Sequence, residues 1–173
     1  MTGMRRALGP VVLVAMLLSG CGTAAVPHRT WVTSVCQTLG PWRDRLTALN
    51  ARAAEQMKSA TTAGQARDRL LRLLDGARQA SEDARAKVAG AGVPDVTDGG
   101  AIAERFVNAL AAVRDAYGKA RDTVHGLPDG TFYAGVGQAM TTLNQEYAKA
   151  GVDTAKVASA QLRKDFDEVP ACG

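Results

Sequence analysis

Apolar residues recur every three or four positions from Trp31 almost to the end of the chain, a period that a helix satisfies and a strand does not. The first run sets Trp31, Val35, Leu39, Trp42, Leu46, Leu49, Ala53 and Met57 on one face, with Thr30 placed to cap it. Gly40-Pro41 interrupts this run, because proline has no N–H and its ring disfavours the preceding turn. The sequence therefore predicts a short helix over 31–39 and a main helix over 41–59, with Pro41 at the first position of the second. Thr62-Ala63-Gly64-Gln65 fits a capping box. The helix it opens runs to about Ala89 and carries Leu70, Leu74, Ala77, Ser81, Ala84 and Val88, widened by Leu71 and Leu73. Gly90, Gly92 and Pro94 end it, and Asp83 and Lys87 are spaced for an i,i+4 ion pair.

A third helix presents Ile102, Phe106, Leu110, Val113, Tyr117, Ala120 and Val124, and stops at His125-Gly126-Leu127-Pro128 with Gly126 expected as a left-handed cap. A fourth, capped near Asp129, carries Phe132, Val136, Met140, Leu143 and Tyr147 and ends around Gly151. Gly135 and Gly137 weaken its first turns by about 1 kcal/mol each relative to alanine, or permit a close helix approach. A short fifth helix after Asp153 turns Ala158, Leu162 and Phe166 inward, and Val169-Pro170-Ala171-Cys172 forms the tail. Strand alternation and Asn-Gly hairpin signals are absent. Four main helices with short connections imply an all-α fold: an antiparallel up-down four-helix bundle with a short fifth C-terminal helix. The many alanines imply that some helix pairs approach closely.

Residues 1–20 stand outside this pattern. Arg5 and Arg6 precede an apolar stretch from Ala7 to Leu18, irregular only at Pro10. At about a dozen residues it is too short for the roughly 20 that span a hydrocarbon core. It has the basic start and apolar centre of a secretory signal. Leu18-Ser19-Gly20-Cys21 resembles the lipobox of bacterial lipoproteins: an aliphatic residue, two small residues, then cysteine. That resemblance implies diacylglycerol transfer to the Cys21 sulfur, cleavage before it, and a mature chain starting at Cys21. The alternative is an ordinary secretory signal with a cysteine near its cleavage site.

The expected organisation is a signal peptide over 1–20, a lipidated tether over 21–29 and a single helical domain over 30–173. Two acyl chains anchor stably, where one binds only marginally. Gly22 to Arg29 reach at most roughly 28 Å when extended, so the domain should sit close to the outer face of the cytoplasmic membrane. By alternation, the 90–100 loop and the tail fall at the membrane-near end. The 58–64 and 125–131 turns fall at the far end, where a protein partner has access.

Cys21 assigned to lipid leaves Cys36 and Cys172, and two cysteines outside the membrane allow one pairing. A Cys36–Cys172 disulfide would close a loop worth on the order of 5 kcal/mol on the chain-entropy model. Two free thiols are the alternative, but they form no C-x-x-C and have no histidine near in sequence. The net charge of +4 includes Arg5 and Arg6 and is evenly spread, which argues against a nucleic-acid partner. Arg67, Arg69 and Arg72 form the one basic cluster and read as a solvated helix face.

Motifs that carry chemistry are missing. The sequence has no G-x-S-x-G, H-E-x-x-H, G-x-x-x-x-G-K-[ST], Glu-x-x-His or C-x-x-C-H. His28 reads as a tether residue, and His125 as a favourable cation at a helix C-terminus. His125 and Met57 at one end of a bundle suggest a haem site less well than they suggest a terminal residue and a core filler. Asp165, Asp167 and Glu168 read as a solvated acidic face, and Trp31 and Trp42 as core rather than a sugar-stacking platform. No catalytic residue, metal or cofactor is expected.

The lipobox at Leu18–Cys21, the stretch Trp31–Trp42 with Cys36 and Gly40-Pro41, and Pro170-Ala171-Cys172 together resemble small helical secreted lipoproteins of streptomycetes and related actinobacteria. Arginine in excess of lysine and abundant alanine fit a GC-rich genome. The resemblance implies location and fold but no activity. The expected function is a non-enzymatic interaction or scaffold module at the cell surface. The alternative is a carrier that binds an apolar small molecule or lipid between its helices, which would need a pocket of several hundred cubic ångströms.

Overall fold

The computed structural model describes residues 25–152 and 154–172; Cys21, the segment 1–20 and the first part of the expected tether lie outside them. The described chain is mostly helical: α1 (His28–Met57), α2 (Ala63–Gly90), α3 (Gly99–Gly126), α4 (Phe132–Ala150) and α5 (Ala160–Glu168). Short 3-10 turns at Asp129–Thr131, Thr154–Lys156 and Pro170–Cys172 join or end them. The stripes predicted for α2 and α3 are buried throughout, from Leu70 to Val88 and from Ile102 to Val124. α1 packs on α2, α2 on α3, α3 on α4, and α5 returns to α1.

α1 is one helix, not two, and Pro41 lies inside it. Three features offset the proline. Gly40 has no Cβ to meet the pyrrolidine ring. Gln37 and Pro41 are both exposed, so the carbonyl that loses its partner is on the water side. Leu39 and Trp42 are buried on the other side and hold the turn in register. Thr30 is not the cap, because helix begins at His28, where the backbone N–H donates to Asp95 Oδ1 at 2.5 Å.

Two residues of strand precede α1. β1 (Ala25–Val26) pairs in parallel with β2 (Val93–Pro94), and the Asp95 N–H extends the ladder to the Val26 carbonyl at 2.9 Å. Strands this short leave no alternating pattern, so the sequence carried no sign of them. The turn into α3 is tight. A Cβ on Gly99 would lie 2.1 Å from the Pro94 carbonyl oxygen, and Asp98 before it takes φ 59°.

Caps differ in detail from expectation. Thr62 Oγ1 accepts the Gln65 N–H at 3.2 Å, whereas Gln65 Oε1 reaches back to Thr61 rather than Thr62. α3 ends without a left-handed residue, because Leu127 continues in extended conformation. Gly151 does take φ 65° after α4. Asp129 caps nothing; it pairs with Arg67 at 2.7 Å. Asp83 accepts from the Gln79 amide at 2.9 Å in place of the expected Lys87.

Cross-contacts show how the helices meet. Trp42 Nε1 donates to Ser81 Oγ at 3.2 Å, and Leu49 fills the space where Gly76 has no Cβ. Ser81, the buried hydroxyl of α2, donates in turn to the Ala77 carbonyl. Glu82 accepts from Arg85 on its own helix and from Arg114 of α3 at 2.7 Å, while Asp75 pairs with Arg121 at 3.4 Å. The hydrogen bonds from Arg85 and then Arg114 hold the Glu82 carboxyl down to about 2. Burial, with a smaller contribution from Tyr147, pushes the Tyr117 phenol up to about 12. α4 is the least buried long helix: only Phe132, Ala139 and Leu143 are buried, with Val136 and Met140 half-buried and Tyr147 38% exposed.

Candidate functional site

The chain's two described ends meet in one place. Cys36, buried on α1, is bonded to Cys172 with a Cα–Cα distance of 4.9 Å. One turn and more toward the start of α1, Trp31 stands edge-on to Phe106 of α3 and Phe166 of α5, with centroids 5.5 and 6.3 Å away. Its indole N–H donates to the Gly92 carbonyl at 3.1 Å. Trp31 is therefore core and anchors α1, α3, α5 and the 91–94 turn together.

Beside this aromatic group lies a polar one. Asp165 is 1% exposed, and its Oδ2 receives His28 Nδ1 at 2.5 Å; the Gln161 amide approaches Oδ1 at 3.5 Å. With Asp95 on the His28 backbone N–H, one residue at the head of α1 ties together the 93–98 loop and α5. Arg29 adds an exposed pair to Glu168 at 3.3 Å. A buried carboxylate is costly unless hydrogen-bonded, and here the histidine supplies the partner.

His28 is thus no tether residue, and Asp165 belongs to no solvated acidic face. Leu162, Asp165, Phe166 and Val169 share the inward side of α5, while Asp167 and Glu168 are exposed. A signal was present: Asp165 sits three residues after Leu162 and four before Val169, a core position. Its partner, 137 residues away, could not be read from spacing. Of the inward set expected for α5, Leu162 and Phe166 are buried, but Val157 takes the place given to Ala158.

The His28–Asp165 pair fastens the head of α1 to α5. A histidine oriented by a carboxylate activates a nucleophile only when one lies within hydrogen-bond reach. The two described cysteines are bonded to each other, and among the described residues no group of three or more His, Cys, Asp or Glu side chains is placed to hold a metal ion. A cleft of about 580 Å³ opens beside the disulfide, bordered by Arg43, Asp44, Arg163 and Asp167. Arg163 is committed to the Val157 and Ala158 carbonyls, which its guanidinium bonds at 2.5 and 3.1 Å.

The far end is built around another misread residue. Arg67 donates to the Leu127 carbonyl and to Asp129, both at 2.7 Å, and stacks 5.0 Å from the Phe132 ring centroid. It fastens the α3–α4 turn onto α2 and is not part of a solvated cluster. Arg69 donates to the Gln56 carbonyl across the α1–α2 turn, and Arg72 is exposed. Met57 packs against the core, His125 is exposed, and Trp42 is buried with its ring stacked on Tyr147 at 6.3 Å.

No helix among the described residues is long and apolar enough to cross a membrane. No family model matches the chain, and neither the curated proteins nor the solved structures contain a match to it.

Proposed function

We propose that the chain is a cell-envelope lipoprotein, anchored by lipid on Cys21 at the outer face of the cytoplasmic membrane, whose helical domain is a non-enzymatic interaction module. The observation that carries this reading is the coincidence of Arg5-Arg6, the apolar stretch and Leu18-Ser19-Gly20-Cys21 ahead of a compact helical unit. The fastened start of that unit supports it. Ala25, four residues after Cys21, is already paired with Val93, so the tether is shorter than spacing suggested and the domain stands close to its anchor.

We read the four long helices as an up-down antiparallel bundle with α5 clasped to its anchored end. The contacts Trp42–Ser81 and Leu49–Gly76, then Glu82–Arg114 and Asp75–Arg121, support this, since one residue number rises as its partner's falls. The carrier reading has less support. The most apolar cavity, lined by Ala116, Ala120, Leu127, Ala139 and Leu143, is about 240 Å³, below the roughly 300 Å³ at which small-molecule sites begin.

The anchor is tested by replacing Cys21 with alanine in the native cell. Labelling by radioactive palmitate should vanish and the protein should leave the membrane fraction. Retention in the membrane without label would overturn the reading.

A further inference from the structure

The seam between α1 and α2 is open to solvent along most of its length. Its first stretch, bordered by Pro41, Trp42, Arg45, Gly76 and Ala80, holds about 390 Å³. The next, bordered by Leu49, Arg52, Arg69, Arg72 and Leu73, holds about 140 Å³. Both lie on the same two helix faces, at steps of three and four residues, and form one groove whose floor rises between them where Leu49 packs on Gly76. The first stretch exists because α2 presents Ala80 and Ala84, residues too small to fill it, whereas the space beside Gly76 is taken by Leu49. Its floor is apolar, with Leu49 and Leu73 half-buried against the core.

The rim is basic. Arg45, Arg52 and Arg72 are exposed, and among the described residues none of the three has a carboxylate partner. Arg69 stands beside them with its guanidinium on the Gln56 carbonyl. The one acid bordering the groove, Asp83, lies at the opposite end and is bonded by Gln79. Unpaired guanidinium groups flanking an apolar floor favour an acidic amphipathic occupant. Two helices already wall the groove, so a third helix can pack in by ridges-into-grooves contact, which the small residues allow at close range.

We propose that this groove docks an acidic amphipathic helix of another envelope protein, its apolar face on Leu49, Leu73 and Ala80 and its carboxylates on Arg45, Arg52 and Arg72. An anionic lipid surface is a poorer fit. Arg52 lies 24 residues beyond His28, about 36 Å along the helix axis from the end that leads to Cys21. The surface potential of a membrane decays within a Debye length of about 8 Å. The orientation used here rests on the proposed anchoring; the groove and its charge do not.

The test is a photo-crosslinking residue placed at Ala80 of the full-length protein in its native cell, with a second at Tyr133 on the far surface. The expected result is one crosslinked protein attached through a Glu- and Asp-rich helix. Its yield should fall roughly tenfold or more when Arg45, Arg52 and Arg72 are replaced by Glu. Circular dichroism and melting of that variant should match the parent, because all three side chains are solvent-facing. Crosslinks from Ala80 to lipid or to a second copy of the chain, a yield indifferent to the charge reversal, or no product would each overturn the groove proposal. Partner crosslinks from Tyr133 but none from Ala80 would leave the interaction reading standing. Their absence at both positions, in a protein still labelled at Cys21, would count against that reading too.

Discussion

α4 and α5 bury the same number of residues from very different lengths. α4 has 19 residues and buries Phe132, Ala139 and Leu143; α5 has nine and buries Leu162, Asp165 and Phe166. α5 is too short to be stable by itself, yet it is held by a disulfide beyond its end, a histidine–carboxylate bond and an aromatic contact with Trp31. α4 packs along α3 and touches α1 through the Trp42–Tyr147 stack, with Arg67 gripping the turn before it. Covalent and polar links reach across 136 and 137 residues to secure the short element, while the long one rests on apolar contact with one main neighbour. The fastened end is the one at which the chain from Cys21 enters. The covalent and buried polar links gather at that end, and among the described residues α4 has neither.

The comparison breaks most severely if the disulfide is removed. Cys36→Ser with Cys172→Ser should cost about 3–5 kcal/mol, read as a fall in the denaturant midpoint. Hydrogen exchange should then show α5 losing its protection before α3 does. Next in size, Asp165→Ala removes the carboxylate from the head of α1 and should cost about 2–3 kcal/mol, with Asp165→Asn milder because an amide oxygen still accepts. If Asp165→Ala were neutral in thermal melts, the polar link would be ornamental and the disulfide alone would hold α5.

On the α4 side, Gly137→Ala should stabilise by about 0.5–1 kcal/mol, since a Cβ there meets nothing within 4 Å and alanine favours helix. Gly135→Ala should gain less or nothing, because its Cβ would lie 2.3 Å from Leu127 Cδ2. Equal gains at the two positions would mean that Leu127 does not lean on α4. The smallest effect is electrostatic. The Glu82 carboxyl, held at about 2 against an ordinary 4.5, contributes stability that is complete above pH 4.5 and lost as pH falls toward 2. Glu82→Gln should flatten that part of the stability–pH curve in urea titrations by lowering its neutral-pH end slightly and leaving the end near pH 2 unchanged. The effect is small because solvent still screens the half-buried bridge.

Much of the helical scaffold was legible because each stripe reports burial directly: the stripes from Leu70 to Val88 and from Ile102 to Val124 are buried, and only the widening residues Leu71 and Leu73 are half-buried. The disulfide followed from counting cysteines. Three things were not legible, each for a physical reason. Pro41 read as a break because local rules carry no term for the packing of Leu39 and Trp42 around it. The β1–β2 pair is too short for any period. Asp165, His28 and Arg67 looked exposed because charged residues usually are, and their partners Asp95, Leu127 and Asp129 lie more than fifty residues from them in the chain. α4 errs the other way: its stripe is regular, but Tyr147 and Met140 face less cover than their spacing promised.

The account stands or falls on whether the fastened end is also the anchored end. Intact-mass measurement of the protein extracted from native membranes, before and after reductant, tests this most directly. The prediction is a chain that begins at Cys21 and carries a diacylglyceryl group, with no alkylatable thiol until reduction frees Cys36 and Cys172. A mature chain that begins elsewhere, a Cys21 without lipid, or two thiols that alkylate before reduction would contradict it.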